Sequence, residues 1–131
     1  MAYLLDTNTL IHARDGTASV LAKLDEHDGN VVTSALCFAE LQRGLHKRVE
    51  HFALRQARLE VVLPRIPVIA FDAAAARAYG GILAQCSWVK GRDFDRMIAA
   101  HAISTRSILV TNNAADFQDI PNLSLENWAT A

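Results

Sequence analysis

Four carboxylates in this chain stand where chemistry can happen. Asp6 directly follows the apolar run Tyr3-Leu4-Leu5. With Thr7 and Asn8 it puts an acid, a hydroxyl and an amide together at the end of what reads as a buried strand. An ionised carboxylate in such a place is poorly hydrated and needs a cation or hydrogen-bond donors. Glu40 interrupts the run Ala35-Leu36-Cys37-Phe38-Ala39, which resumes at Leu41. Leu36 and Cys37 lie one helical turn before it, so it projects from an otherwise buried face. Gly44, one turn after it, leaves room for a substrate or partner. Asp95 stands just before the apolar stretch from Ile98, and Asp116 follows the run Ile108-Leu109-Val110 through Thr111-Asn112-Asn113-Ala114-Ala115.

Each of these residues also has a purely structural reading. Asp6 can cap the helix that follows it. Glu40 can pair with Arg43 three residues on, an interaction worth ~0.2–0.5 kcal/mol. Asp93 and Asp95 can complement a helix dipole from its first turn, but two residues apart they cannot share a helical face. Asp93 is the better cap and Asp95 the better functional acid. His101, flanked by alanines, reads as a buried, hydrogen-bonded histidine. Asn112-Asn113 is ordinary turn chemistry.

If Asp6, Glu40, Asp95 and Asp116 converge, their charges repel unless something neutralises them. A site of oxygen ligands without His or Cys points to a hard cation, Mg²⁺ or Mn²⁺. One or two such ions activate water and stabilise the leaving oxygen in phosphodiester hydrolysis. Asn8, Thr111 and Asn113 would orient the carboxylates or bound waters. Residues 43–58 carry Arg43, Lys47, Arg48, Arg55 and Arg58 with one acid, Glu50. They form either a solvated helical face or a strip that positions phosphates, which Arg14, Lys90 and Arg92 would extend.

The elements needed to bring these residues together are legible in the spacing. Short apolar runs alternate with helical patterns, the rhythm of a parallel sheet. Strands are expected at 3–5, 30–33, 68–70 and 108–110, with a short fifth at 123–125. Helices are expected at 9–14 and 18–27, then from a cap at Thr33 or Ser34 with Cys37, Leu41 and Leu45 inward. The helical pattern continues over 47–63 until Pro64 and Pro67. Further helices are expected over 73–87, capped by Asp72, and from Asp93 or Phe94 to 104. Gly80-Gly81 inside a helix costs about 1 kcal/mol per residue relative to Ala, and suggests close helix packing. The result is a three-layer α/β/α architecture with a mostly parallel sheet of four to five strands. Ligands of such sheets bind beyond the carboxyl ends of the strands.

Composition sets the frame. The chain has 131 residues, 51% of them hydrophobic and 21% charged, with six glycines and three prolines. That is a globular composition and the length of one domain, 1–131. Thirteen basic residues against 14 acidic ones give a net charge of −1, which argues against a purely electrostatic nucleic-acid binder. No apolar run approaches the ~18–20 residues of a membrane span, and the N-terminal run is too short for a signal peptide. Cys37 and Cys86 stand in no CxxC or His spacing, so a reducing, cytoplasmic setting is expected.

The residues also resemble a known family. Leu-Leu-Asp-Thr-Asn-Thr-Leu-Ile at 4–11 is similar to the opening motif of PIN-domain ribonucleases. Phe-Ala-Glu-Leu-Gln-Arg-Gly at 38–44 resembles their second motif, with Glu40 as its acid. Phe-Asp-Arg-Met-Ile-Ala-Ala-His-Ala at 94–102 resembles the third, with Asp95, and Thr-Asn-Asn-Ala-Ala-Asp-Phe at 111–117 the fourth, with Asp116. All four occur in order and span nearly the whole chain. Asp93 is a departure, an acid where the motif is usually apolar or small. The short format resembles the VapC toxins of bacterial type II toxin–antitoxin pairs.

The resemblance implies an endoribonuclease needing Mg²⁺ or Mn²⁺ and acting on RNA such as tRNA or rRNA. It also implies a homodimer inhibited by a VapB-type antitoxin. Asp6 and Asp95 would be the main metal ligands, with Glu40 and Asp116 completing the cluster. A non-catalytic PIN-like module that binds RNA or protein is the alternative, though four retained acids speak against it. A haloacid dehalogenase-type phosphatase would need an acid where Asn8 stands. A phospho-accepting receiver domain would need a lysine after its fifth strand, and the last lysine here is Lys90.

Overall fold

The computed structural model describes residues 2–130. Its centre is a five-stranded sheet in the order β3-β2-β1-β4-β5, every pair parallel. The strands are β1 (Tyr3–Leu5), β2 (Val31–Ser34), β3 (Val68–Ile69), β4 (Ile108–Val110) and β5 (Leu125–Glu126). The helices are α1 (Thr7–Asp15), α2 (Ala18–Glu26), α3 (Ala35–Lys47), α4 (Phe52–Val62), α5 (Ala73–Cys86) and α6 (Asp93–Ser104). Helices cover both sides of the sheet, as expected for strands that read as continuous apolar runs. Leu4, Leu5, Leu109 and Val110 are fully buried between the layers.

The strand order explains where a site can form. The chain winds from β1 outward to β3, then returns to lay β4 on the other side of β1. Winding reverses between β1 and β4, and a crevice opens beyond the strand ends at that reversal. Leu5 is level with Thr33 on one side and with Val110 on the other. Asp6 and Thr111 therefore leave the sheet side by side. Thr33 Oγ1 donates to the Leu5 carbonyl at 2.8 Å and locks this level.

Several elements depart from the sequence expectation. The first helix starts at Thr7 rather than Thr9, because Asp6 itself is the N-cap. The helical pattern over 47–63 is not continuous. Arg48 leaves helical geometry (φ −126°, ψ 86°), a 3₁₀ turn follows over Val49–His51, and α4 begins at Phe52. The break turns α4 back onto α1 and α3, burying Leu59 and Val62. β5 lies at Leu125–Glu126 instead of 123–125. Close packing at Gly80-Gly81 is not what the fold shows, since a Cβ at either position would meet nothing within 4 Å.

His101 is structural, as expected. It is 1% exposed on the inner face of α6. Its Nδ1 lies 2.8 Å from Ser34 Oγ, and that oxygen also accepts from Leu36 N–H as the N-cap of α3. The Ala70 backbone hydrogen-bonds the ring as well, and Phe71 meets it edge-on. His101 thus ties the ends of β2 and β3 to α6.

Two stability predictions follow from this packing. Gly80→Ala and Gly81→Ala should each stabilise the fold by about 0.5–1 kcal/mol, read by denaturant unfolding, because the methyl is accommodated and the helix gains propensity. Burial lowers the His101 pKa below its ordinary 6.5. The unfolded chain therefore takes up a proton before the folded one does, and stability is lost as the pH falls from about 6.5 through the lowered folded value. His101→Gln should flatten that part of the melting temperature's pH dependence.

Candidate active site

β1 runs straight into α1, and the junction fixes Asp6. Its Oδ1 accepts from Thr9 N–H at 2.8 Å, and its own N–H donates to the Val110 carbonyl at 3.1 Å. Thr9 Oγ1 donates to that same carbonyl at 3.1 Å. Asp6 therefore caps α1, and at 7% exposure its carboxylate also lines a cleft at the β1/β4 reversal. Among the described residues, no side chain or backbone donor reaches its second oxygen.

All four predicted acids line that cleft, a hollow of about 100 Å³. Asp6 comes from the end of β1, Glu40 from α3 and Asp95 from the first turn of α6. Asp116 comes from a 3₁₀ turn over Ala114–Phe117. Thr7, Asn8 and Asn113 supply further polar wall, while Phe94, Ile98 and Phe117 supply apolar wall. Glu40 makes no ion pair with Arg43 among the described residues, so the helix-pair reading of this residue fails.

The electrostatics follow from that crowding. Burial pushes the Asp95 carboxyl above its ordinary range, and the charges of Asp116, Glu40 and Asp6 push it further, partly offset by Arg92. Arg92 was expected to extend a phosphate-binding strip. Instead its Nη1 donates to Asp116 Oδ1 at 3.2 Å and lies 3.4 Å from the Asp116 carbonyl. No local spacing shows this pair, because 24 residues separate its members. Thr7 Oγ1 is buried on the cleft wall, and among the described residues the Cys37 thiol is the group that approaches it for a hydrogen bond. Beneath it, burial pushes the Cys37 thiol up to about 12, which leaves it protonated and inert.

Among the described residues, no three His, Cys, Asp or Glu side chains form a ready-made metal cage. The acids face one another across an open cleft rather than closing on a point. Such a set suits a cation that keeps several of its own waters and takes only one or two carboxylates directly, as Mg²⁺ does.

The remaining expected residues divide. Asn8 and Asn113 reach the cleft, whereas Thr111 turns away from it. Thr111 Oγ1 accepts from Asn113 N–H at 3.0 Å and shapes the turn that presents Asp116. The cleft continues past Thr7, Asn8 and Glu40 into a groove of about 210 Å³ lined also by Ile11, Arg43, Gly44 and Lys47. Gly44 faces open space there, as its position beside Glu40 suggested. Arg48, at the end of α3, and Arg55, on α4, line neither hollow. Arg14 is buried against Asp15 at 3.0 Å and lines a separate hollow with Arg58 and Arg65. Asp93 faces away from the acids, its Oδ1 accepting from Tyr79 OH at 2.5 Å and Trp88 Nε1 at 2.9 Å.

Known proteins share this arrangement. The PIN domain pattern matches residues 3–123. The Ribonuclease VapC2 of Rickettsia felis is 36% identical over 98% of this chain and 98% of its own length. The tRNA(fMet)-specific endonuclease VapC of Shigella flexneri is 35% identical over 98% of this chain and 99% of its own. The crystal structure of VapBC2 from Rickettsia felis bound to a DNA fragment from their promoter contains a chain that superposes with a TM-score of 0.85. The identity is again 36%, covering 98% of this chain and 99% of that one. With four acids on one cleft at the strand reversal, the chain belongs to the PIN-domain family, among its VapC ribonucleases.

Proposed function

We propose that this ribonuclease hydrolyses RNA phosphodiester bonds with the help of Mg²⁺ or Mn²⁺ held at Asp6 and Asp95, with Glu40 and Asp116 completing the acidic cluster. The observation that carries this reading is the convergence of four carboxylates from four segments with only Arg92 among them. Such a cleft holds more negative charge than its own side chains neutralise. A bound divalent cation would supply that neutralisation, make water a better nucleophile and stabilise the leaving oxygen.

The chain's own residues have separate tasks in this reading. The Thr9 N–H fixes the orientation of Asp6 through one oxygen and leaves the other for the cation. Arg92 holds Asp116 and keeps it from swinging onto Asp95. Glu40, without an ion pair among the described residues, is placed to accept a proton from the attacking water. Asn8 and Asn113 offer amides to bound water or to the scissile phosphate. Arg43 and Lys47, on the groove beside Glu40, hold phosphates away from the acids that would repel them.

The chain acts as the toxin of a type II toxin–antitoxin pair, as a homodimer held in check by a VapB-type antitoxin. The VapBC2 complex from Rickettsia felis supports this. So does an apolar groove at the α3–α4 break, lined by Leu45, His46, Val49, Phe52 and Ala53, which offers a protein partner a surface. The tRNA(fMet)-specific relative makes tRNA the first substrate to test, ahead of rRNA. No helix among the described residues is long and apolar enough to cross a membrane, and an RNA substrate of this kind has the chain act in the cytoplasm.

The deciding experiment is cleavage of total cellular RNA by antitoxin-free protein in Mg²⁺, Mn²⁺ or EDTA. Discrete fragments that require metal, and that Asp6→Asn and Asp95→Asn abolish, are expected. Metal-independent cleavage, or full activity in both variants, would overturn the reading. Asp6→Asn keeps an oxygen for the Thr9 cap and should fold normally, whereas Asp6→Ala should cost a further ~1 kcal/mol in stability.

Binding of the cation has a readout apart from activity. Mg²⁺ should raise the melting temperature of the wild type by mass action. Asp95→Asn should melt higher than the wild type without metal, because repulsion is relieved, and should lose the response to Mg²⁺. An unchanged response in that variant would remove Asp95 from the site.

The basic rim predicts a salt effect. Reversing Arg43 and Lys47 to Glu should weaken RNA binding and flatten its dependence on log salt by about 1.4, at ~0.7 per single-strand phosphate contact. The same reversal at Arg48 and Arg55 should change the slope little. Equal effects of the two pairs would return all four residues to a general solvated face.

A further inference from the structure

The loop between α5 and α6 carries a feature the acidic cleft does not explain. α5 ends at Cys86, and Ser87 takes a positive φ of 64°, a conformation that L-residues avoid and that turns the chain sharply. The turn delivers Trp88 to the surface, where it is 60% exposed. An exposed tryptophan would ordinarily be free to rotate, but this one is not. Its Nε1 donates to Asp93 Oδ1 at 2.9 Å, and Tyr79 OH donates to the same oxygen. The acid that departs from the family pattern thus holds the indole in one orientation with its surface in solvent.

The loop is fixed at its other end too. Gly91 adopts a φ of 83°, Arg92 N–H donates to the Val89 carbonyl at 3.1 Å, and the Arg92 guanidinium reaches Asp116 on the cleft. An oriented aromatic ring, with Lys90 exposed beside it, therefore sits on a rigid loop tied to the wall of the acidic cleft. Arg43 and Lys47 flank the opposite side, beside Glu40.

We infer that Trp88 is a base-stacking platform for single-stranded RNA on the α6 side of the cleft; the inference rests on the ribonuclease reading above. A cleft rich in carboxylates repels phosphates, so the strand needs affinity that does not depend on charge where it leaves the acids. Stacking on an aromatic face provides it, and every base offers a π-face. The surroundings favour RNA over a protein partner: Ser87, Lys90 and Gly91 flank Trp88 and the exposed Val89 in the loop, so polar and basic groups adjoin the indole. Asp93 and Tyr79 act as positioning residues by holding the indole.

The test compares Trp88→Phe, Trp88→Leu and Trp88→Ala in antitoxin-free protein, using total tRNA and a single-stranded oligoribonucleotide as probes. Trp128 is 1% exposed, so quenching of red-shifted tryptophan emission by RNA reports on Trp88. RNA should quench that emission. Trp88→Ala and Trp88→Leu should weaken binding and raise KM roughly 5- to 150-fold, with kcat little changed. Trp88→Phe, which keeps a stacking face but loses the Nε1–Asp93 bond, should restore part of the affinity, and melting temperatures close to wild type would show that folding is intact. Equal RNA affinity in all four proteins would overturn the inference while leaving the nuclease reading standing. Wild type that neither binds nor cuts RNA would instead overturn the nuclease reading. Unchanged RNA binding with lost dimerisation or antitoxin capture in the leucine and alanine variants would assign Trp88 to a protein interface and likewise overturn the inference.

Discussion

The pairing of β1 with β4 is the constraint on which the site depends. These two strands are buried on both faces, and their shared register brings Leu5 level with Val110. Because winding of the sheet reverses between them, no crossover helix covers the space beyond their ends. Asp6 leaves one strand into that space, and the Val110 carbonyl at the end of the other takes hydrogen bonds from both Asp6 N–H and Thr9 Oγ1. The cleft is therefore anchored in buried, hydrogen-bonded strands. That anchoring allows like charges to be held together at all. Four carboxylates on mobile loops would move apart into solvent, whereas here helix caps and sheet hydrogen bonds prevent it.

The energetic cost of this arrangement is visible in the raised pKa of Asp95. A carboxyl that is harder to ionise than in water destabilises the fold at neutral pH, and the cation proposed for the site would relieve that strain. The fold and the chemistry thus pull in opposite directions at the same residues. Arg92 moderates the conflict from within the chain by pairing with Asp116, but one guanidinium cannot balance four acids. The rest of the molecule compensates with a continuous apolar core and with His101, which ties α6 to the ends of β2 and β3.

The surface around the cleft is divided by charge and by shape. Basic side chains stand on the α3 side, an oriented indole stands on the α6 side, and apolar residues gather at the α3–α4 break. Helix geometry sets this division: Arg43 and Lys47, four residues apart, share one face of α3 and line the groove, whereas Arg48 lies about 100° further round the axis from Lys47 and, with Arg55 on α4, lines neither hollow.

Much of this was legible in the residues alone. The alternation of short apolar runs with helical patterns is a local property, so the parallel α/β architecture and most element positions could be read from it. Asp6 and Glu40 could be named because each stands against an apolar background that makes it anomalous, Asp95 and Asp116 because of where they stand along the chain, and all four because their motifs are local strings. His101 could be recognised as structural because alanines flank it. What no local pattern contained was decided by contacts between distant segments. Arg92 and Arg48 are both basic residues between helices, yet one pairs with an acid of the cleft and the other ends α3. The spacing of Asp93 and Asp95 already put them on different faces, but only the packing of α5 on α6 brings Tyr79 to Asp93. Sequence by itself determined which residues are chemically unusual and which elements carry them. Tertiary structure decided which of their charges meet, since electrostatic interaction depends on distance in space and is blind to distance along the chain.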